Sequence, residues 1–216
     1  MACLLAATVV GAGATAPLET LRIDGLPFVL EQRTERGKLT SDKTGLTLSA
    51  SKGTDLYVNA DGSKRADATP RLLFAPVGDF IFSARVSAAF NAPFDGAALI
   101  VYADGVNWAK LLFEHGRNGK QGVSSTVVKG VGDDAHHGGR EGGSVYLKLA
   151  RRESLYVFYT SPDGKVWQMV RNFSLPATQT VKVGFSSQSP LGEQFTAQFS
   201  HIHFRAAAFK DFWQGE

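Results

Sequence analysis

Apolar and polar residues alternate with period two along most of this chain, and helical periodicity is nearly absent. The run 45–50 (GLTLSA) alternates, and so does 80–86 (FIFSARV), which places Phe80, Phe82, Ala84 and Val86 on one face. Residues 98–102 form a continuous apolar run. The tight-turn dipeptide Asp104-Gly105 follows, then a second alternating run over 107–114, and together they predict a hairpin. Further strands are predicted over 144–150, 155–160, 166–173, 181–186 and 196–204, with the turn Ser161-Pro162-Asp163-Gly164 joining two of them. The last strand slips phase. Phe199 cannot share a face with Ile202 and Phe204 unless a bulge sits near Ser200 or His201.

Roughly ten short strands with little helix between them predict an all-β sandwich of two antiparallel sheets. Two stretches lack that pattern. Residues 52–72 read as a loop with one brief strand at 56–58, and residues 130–143 (GVGDDAHHGGREGG) as a long, polar, flexible loop. Residues 209–213 are expected to form a short packed turn or a helix. Composition does not shift along the chain and no internal repeat is present, so residues 17–216 read as one domain.

Composition narrows the function classes more than it selects among them. With 216 residues, 44% hydrophobic and 20% charged, the chain is of ordinary globular type and long enough to bury a core without cross-links. The net charge of +3 is unfocused: the longest basic cluster, Arg151-Arg152, is followed at once by Glu153, which excludes a nucleic-acid surface. Cys3 is the single cysteine, so no intramolecular disulfide and no thiolate metal site can form. It lies in an uncharged apolar opening, residues 1–16, which reads as a signal peptide or a disordered N-terminus. Cleavage after Ala14 fits better than after Ala16, which would leave Pro17 first. At roughly 15 apolar residues the segment is shorter than the ~20 a membrane span needs. The expectation is therefore a secreted or periplasmic protein, with a cytoplasmic one as the alternative, and no membrane span. A nucleophile elbow, a P-loop and a dinucleotide fingerprint are all missing.

The strand 107–114 carries the most chemistry. Trp108, Lys110, Leu112 and Glu114 project to one face, and Ala109, Leu111 and Phe113 to the inter-sheet core. An indole, an ammonium and a carboxylate on one sheet face form a surface that grips a sugar, the ring stacking on the pyranose while the charges meet its hydroxyls. The plainer alternative is a solvated face with a cross-strand ion pair. Asp133-Asp134 with His136-His137 offers donors for a divalent metal, but adjacent residues rarely ligate one ion, so no metal is assigned. His201 and His203 share a strand face without an identifiable third ligand. Glycoside cleavage needs two carboxyl groups about 5 to 10 Å apart. Glu114 is alone on its strand face, so the second would come from Asp95, Asp133 or Asp134.

The segments TDLYVNADGSKRADATPRLLF, FDGAALIVYADGVNWAKLLFEHG, VVKGVGDDAHH, YTSPDGKVWQMVRNF and VGFSSQSPLGEQFTAQFSHI resemble the DUF1349 family in matching order, over residues 26–204. That family is similar to the concanavalin A-like domains at the C-termini of some β-xylosidases, and it includes the yeast regulation-of-enolase protein. The resemblance implies a lectin/glucanase jelly roll and assigns no activity. It implies that Asp55, Asp95, Trp108, Lys110, Glu114, Asp133, Asp134, Arg171, Gln188 and Ser189 match the family pattern. The family's acidic motif reads Ser-Asp-Asp-Ala-Asn, whereas here Gly132 replaces the serine and His136 the asparagine. Three functions follow as expectations. The first is carbohydrate binding through Asp55, Asp95, Trp108, Lys110, Glu114, Asp134, His136, Arg171 and Gln188. The second is glycoside hydrolysis or lysis, with Glu114 as acid or base, Asp133 or Asp134 as its partner, and Lys110 or Arg171 stabilising negative charge. The third is a protein-interaction sandwich with no small ligand.

Overall fold

A computed structural model describes residues 21–176 and 180–216; the leader expected over 1–16 lies outside the described residues. Two antiparallel seven-stranded sheets pack face to face. The first runs, edge to edge, β1 (Glu31–Arg33), β6 (Arg71–Phe74), β15 (Lys182–Gln188), β8 (Gly96–Asp104), β9 (Asn107–His115), β10 (Gln121–Lys129) and β11 (Val131–Gly139). The second runs β14 (Gln168–Phe173), β13 (Leu155–Ser161), β12 (Ser144–Arg152), β7 (Phe80–Ala88), β16 (Gln194–Arg205), β3 (Gly45–Ser51) and β2 (Leu39–Asp42). A separate hairpin, β4 (Leu56–Val58) with β5 (Arg65–Asp67), belongs to neither sheet. No described helix is long and apolar enough to cross a membrane.

The alternation read from the sequence sets the core. Leu99, Val101, Ala109, Leu111 and Phe113 of the first sheet face Phe82, Val86, Leu147, Leu149 and Phe199 of the second, all in one buried cluster. Rings interlock across the layers: Phe185 of the first sheet meets Phe82 and Phe199 of the second edge-on, at centroid distances of 5.2 and 4.9 Å. At ~25 cal/mol per Å² of apolar surface buried, this cluster is the main favourable contribution to the fold. The expected hairpin is β8–β9, and the expected bulge in β16 breaks its pairing with β7 between Ser200 and His203, with His201 at φ 47°.

Two segments depart from expectation. Within 52–72, where one brief strand is expected, β5 pairs antiparallel with β4. Residues 131–139 are not a flexible loop but the edge strand β11, paired residue for residue with β10 from Lys129↔Val131 to Ser124↔His136. Backbone ladders need no apolar side chains, and an edge strand rich in Gly, Asp and His is stable when one neighbour supplies its hydrogen bonds. The C-terminal segment is a turn. Its Phe209 packs with Ile81, Val157, Tyr159 and Trp167 on the outer face of the second sheet.

The β4–β5 hairpin lies across the outer face of the first sheet. Leu56 and Val58 close over Trp108 and Val128, and the Gly132 amide donates to the Asn59 carbonyl at 3.2 Å. The approach is close enough to dictate a residue type: a Cβ on Gly132 would lie 1.8 Å from the Val58 carbonyl oxygen. This contact calls for glycine at position 132. Gly132→Ala is expected to push the hairpin off the sheet and to cost about 1–3 kcal/mol. Urea unfolding measures it, and a variant as stable as wild type would contradict the packing described.

Candidate functional site

The hairpin walls a hollow on the outer face of the first sheet. Its volume is about 370 Å³, within the range of small-ligand sites. β9 contributes Lys110, Leu112 and Glu114 to the floor, β10 contributes Ser124 and Thr126, and β11 contributes Asp134 and His136. Side chains on neighbouring strands converge there because their registers keep them on one face: Thr126 lies opposite both Lys110 and Asp134, and Ser124 opposite both Leu112 and His136. Asp55, Tyr57 and Asn59 of the hairpin side form one wall, and Phe94, Gln188 and Leu191 form the other.

Two buried charges define the chemistry, and they behave differently. Lys110 is 3% exposed, and its Nζ donates to the Leu56 carbonyl at 2.7 Å and to Gln188 Oε1 at 2.9 Å, with Asp55 Oδ1 at 3.7 Å. Gln188 in turn donates through Nε2 to the Phe94 carbonyl at 3.1 Å. The ammonium therefore spends its donors inside the protein, tying the hairpin to the sheet. Glu114 is 7% exposed and faces the hollow. Among the described residues no donor hydrogen-bonds its carboxylate, and its nearest basic neighbour is the His136 imidazole, whose Nδ1 lies 3.9 Å from Oε1. The same Nδ1 sits 2.8 Å from Ser124 Oγ. Asp134 accepts a hydrogen bond from the Thr126 hydroxyl. Burial, reinforced by the Asp134 and Asp55 charges and then Asp61, raises the Tyr57 phenol above its ordinary value, so it stays a neutral donor.

Of the residues singled out from the sequence, Asp55, Lys110, Glu114, Asp134, His136 and Gln188 line this one hollow. Four others require correction. Trp108 shares the face but is 1% exposed beneath Leu56 and Val58, so it is a core residue and no stacking platform. Asp95 is fully buried; it accepts from the Ala92 amide at 2.9 Å and the Ser189 hydroxyl at 2.8 Å, and it organises the loops around it. Asp133 and Arg171 meet each other on the opposite face of β11, because successive strand residues alternate. Arg171 Nη2 donates to Asp133 Oδ2 at 2.5 Å, and Nη1 donates to the Asp133 carbonyl at 3.1 Å and to Ser125 Oγ at 3.3 Å. This clamp joins β14 of the second sheet to β10 and β11 of the first. It positions the site rather than entering it. His137, on that same face, has Nε2 2.8 Å from Ser125 Oγ. His201 and His203 lie on β16 of the second sheet, away from the hollow. No group of three or more His, Cys, Asp or Glu residues among those described is arranged to hold a metal ion.

Tyr57 was not singled out from the sequence. The signal available was the apolar pair Leu56 and Val58 flanking it in a polar stretch, which marks a strand with one buried face and leaves Tyr57 on the other.

Fold and site together define a concanavalin A-like jelly-roll sandwich with a polar pocket on one sheet face. The chain belongs to the family described as "Protein of unknown function (DUF1349)", which it matches over residues 34–207. It is similar to a functionally unknown protein from Saccharomyces cerevisiae, with a TM-score of 0.74 at 20% identity over 83% of this chain and 96% of that one. It is also similar to a xylan β-1,4-xylosidase from Bacillus halodurans, with a TM-score of 0.59 at 16% identity over 74% of this chain and 32% of that one. A third similar structure is the carbohydrate-binding module CBM66 from Bacillus subtilis, with a TM-score of 0.51 at 13% identity over 81% and 94%. At these identities the likeness is one of fold. No curated protein matches the chain in sequence.

Two outcomes follow from the buried polar groups. Lys110→Met leaves Asp55, the Leu56 carbonyl and Gln188 without their common donor and is expected to cost about 3 kcal/mol or more in urea unfolding; unchanged stability would contradict the tie. Burial, then the Arg171 and His136 charges, holds the His137 imidazole below its ordinary value. The unfolded chain therefore binds this proton more readily, so the stability it contributes is present above pH 6.5 and is lost as pH falls through the depressed native value. His137→Gln should reduce the loss of stability between about pH 7.5 and about pH 5. An identical pH dependence in variant and wild type would contradict it.

Proposed function

We propose that this protein binds carbohydrate in the hollow between the β4–β5 hairpin and the outer face of the first sheet. The observation that carries this reading is Glu114: a carboxylate facing the hollow, almost fully buried, that no described donor meets. Burying a carboxylate costs several kcal/mol unless donors compensate it. Sugar hydroxyls supply donors at that place, and a vicinal pair matches its two oxygens. Tyr57 offers a ring wall, and Phe94 and Leu191 offer apolar surface for the C–H face of a sugar. Ser124, Asp134 and Asp55 add the few placed polar groups that fix a ligand's orientation. Similar sandwiches in a protein described as a carbohydrate-binding module and, over about a third of its chain, in a xylan β-1,4-xylosidase support the choice of ligand class. An exported protein, as the opening segment suggests, would meet such glycans outside the cell.

A second reading, glycoside cleavage, is favoured by one observation: Asp55, Glu114 and Asp134 line the same hollow, and that chemistry needs two carboxyl groups. Release of reducing ends from a glycan panel by wild type, abolished in Glu114→Gln, would support it; no release removes it.

Calorimetric titration with soluble plant and bacterial glycans, xylo-oligosaccharides among them, tests the binding reading. Glu114→Gln is expected to weaken binding by about 1.5–3 kcal/mol, the worth of hydrogen bonds to a charged acceptor. Tyr57→Ala should weaken it by about 0.5–1.5 kcal/mol. No binding across the panel would overturn the proposal.

A further inference from the structure

The hollow does not end at Glu114. A second one, of about 360 Å³, adjoins it, and Glu114, Ser124 and His136 line both. Side chains thin out along this continuation. Four glycines, Gly116, Gly122, Gly138 and Gly139, line it where β10 and β11 reach their far ends and the loop after β9 turns back.

The backbone there is irregular in a way that opens a trough. Pairing of β10 with β11 shifts register between Gly122 and Ser124, and Gly138 takes φ 98°. A Cβ on Gly122 would lie 2.8 Å from the Gly138 carbonyl oxygen, so close approach of the two strands, as well as chain geometry, calls for glycine. A bulge of this kind ends regular pairing beside a site and bends the strand away. Arg117, Asn118 and Lys120 form a polar rim, and Gln121 Oε1 has no partner among the described residues. Buried polar atoms left unpaired by the protein are uncommon and mark places where water or a ligand completes the bonding.

We propose that the two hollows form one cleft that binds an oligosaccharide lengthwise, with sugar units on both sides of the Glu114–His136 pair. The inference rests on the carbohydrate reading and adds to it the substrate class: a chain of at least three units rather than a single sugar. Glu114 holds the central unit through its hydroxyls. Tyr57 and the hairpin bound one end of the chain, and the glycine trough accommodates the other.

The test is a chain-length series, titrating xylo-, cello- and manno-oligosaccharides from one to six units into wild type, Glu114→Gln and Gly139→Leu. Gly139 is exposed and lies opposite Gly122, and its Cβ would meet only the Gln121 carbonyl oxygen, at 3.6 Å, so the fold accepts a side chain that fills the trough. In wild type, affinity for one ladder should rise about tenfold or more from one unit to three and then level off. Gly139→Leu should abolish that rise while leaving the affinity for the single unit unchanged, and Glu114→Gln should weaken every length. The double variant Arg117→Ala/Lys120→Ala, which alters only exposed rim residues, serves if Gly139→Leu loses thermal stability, and it should reduce the same rise. Equal affinity for all lengths, with binding still dependent on Glu114, would overturn the cleft and leave the single-pocket reading standing. A rise untouched by either trough variant would also overturn it. No binding in any ladder would overturn both readings.

Discussion

Closure of the β4–β5 hairpin over Trp108 is the interaction on which the site depends. Leu56 and Val58 seal the indole, and the Leu56 carbonyl accepts from Lys110, so one segment supplies both an apolar lid and a polar anchor. Without it the outer face of the first sheet would lack the wall that Asp55, Tyr57 and Asn59 provide. With it, the face acquires a wall and a sealed indole beside the polar floor. Gly132 is the concession that lets the hairpin come so near, since any side chain there would collide with the Val58 carbonyl.

Two further ties hold the opposite wall and the edge. Gln188 joins Lys110 to the Phe94 carbonyl, which fixes the far wall to the floor. Arg171, reaching from the second sheet to Asp133 and Ser125, holds the edge strand that presents Asp134 and His136. The charged residues near the site thus divide into those that position it and those that face it. Lys110, Arg171, Asp133 and Asp95 are consumed by protein partners, whereas Glu114 faces the hollow with no hydrogen-bond donor among the described residues. Membership of a family without an assigned activity, and likeness to sandwiches at 20% identity and below, establish the scaffold; function has to be argued from these side chains.

The scaffold was legible in the sequence because its strands are half-buried and alternate. The β8–β9 hairpin, the inward set Ala109, Leu111 and Phe113, and the bulge in β16 all follow from period-two arithmetic. The site was legible only in part. Asp55, Lys110, Glu114, Asp134, His136 and Gln188 line one hollow, but alternation says which face a residue takes and not what covers that face or which faces meet. Trp108 was therefore read as a platform when it is a floor beam. Strand β11 was unreadable for a related reason: an edge strand of Gly, Asp and His owes its conformation to the ladder of β10, a contact that leaves no hydrophobic signature. Asp133 and Asp134 looked like one chemical unit until the pleat sent them to opposite faces.

The central claim, that the hairpin and the first sheet together form a ligand site, is tested most directly by amide hydrogen exchange with and without a bound oligosaccharide. Protection confined to β4–β5 and to the neighbouring parts of β9, β10 and β11 is the predicted result. Unchanged exchange in these elements, or protection on the outer face of the second sheet around Tyr159 and Trp167, would contradict it.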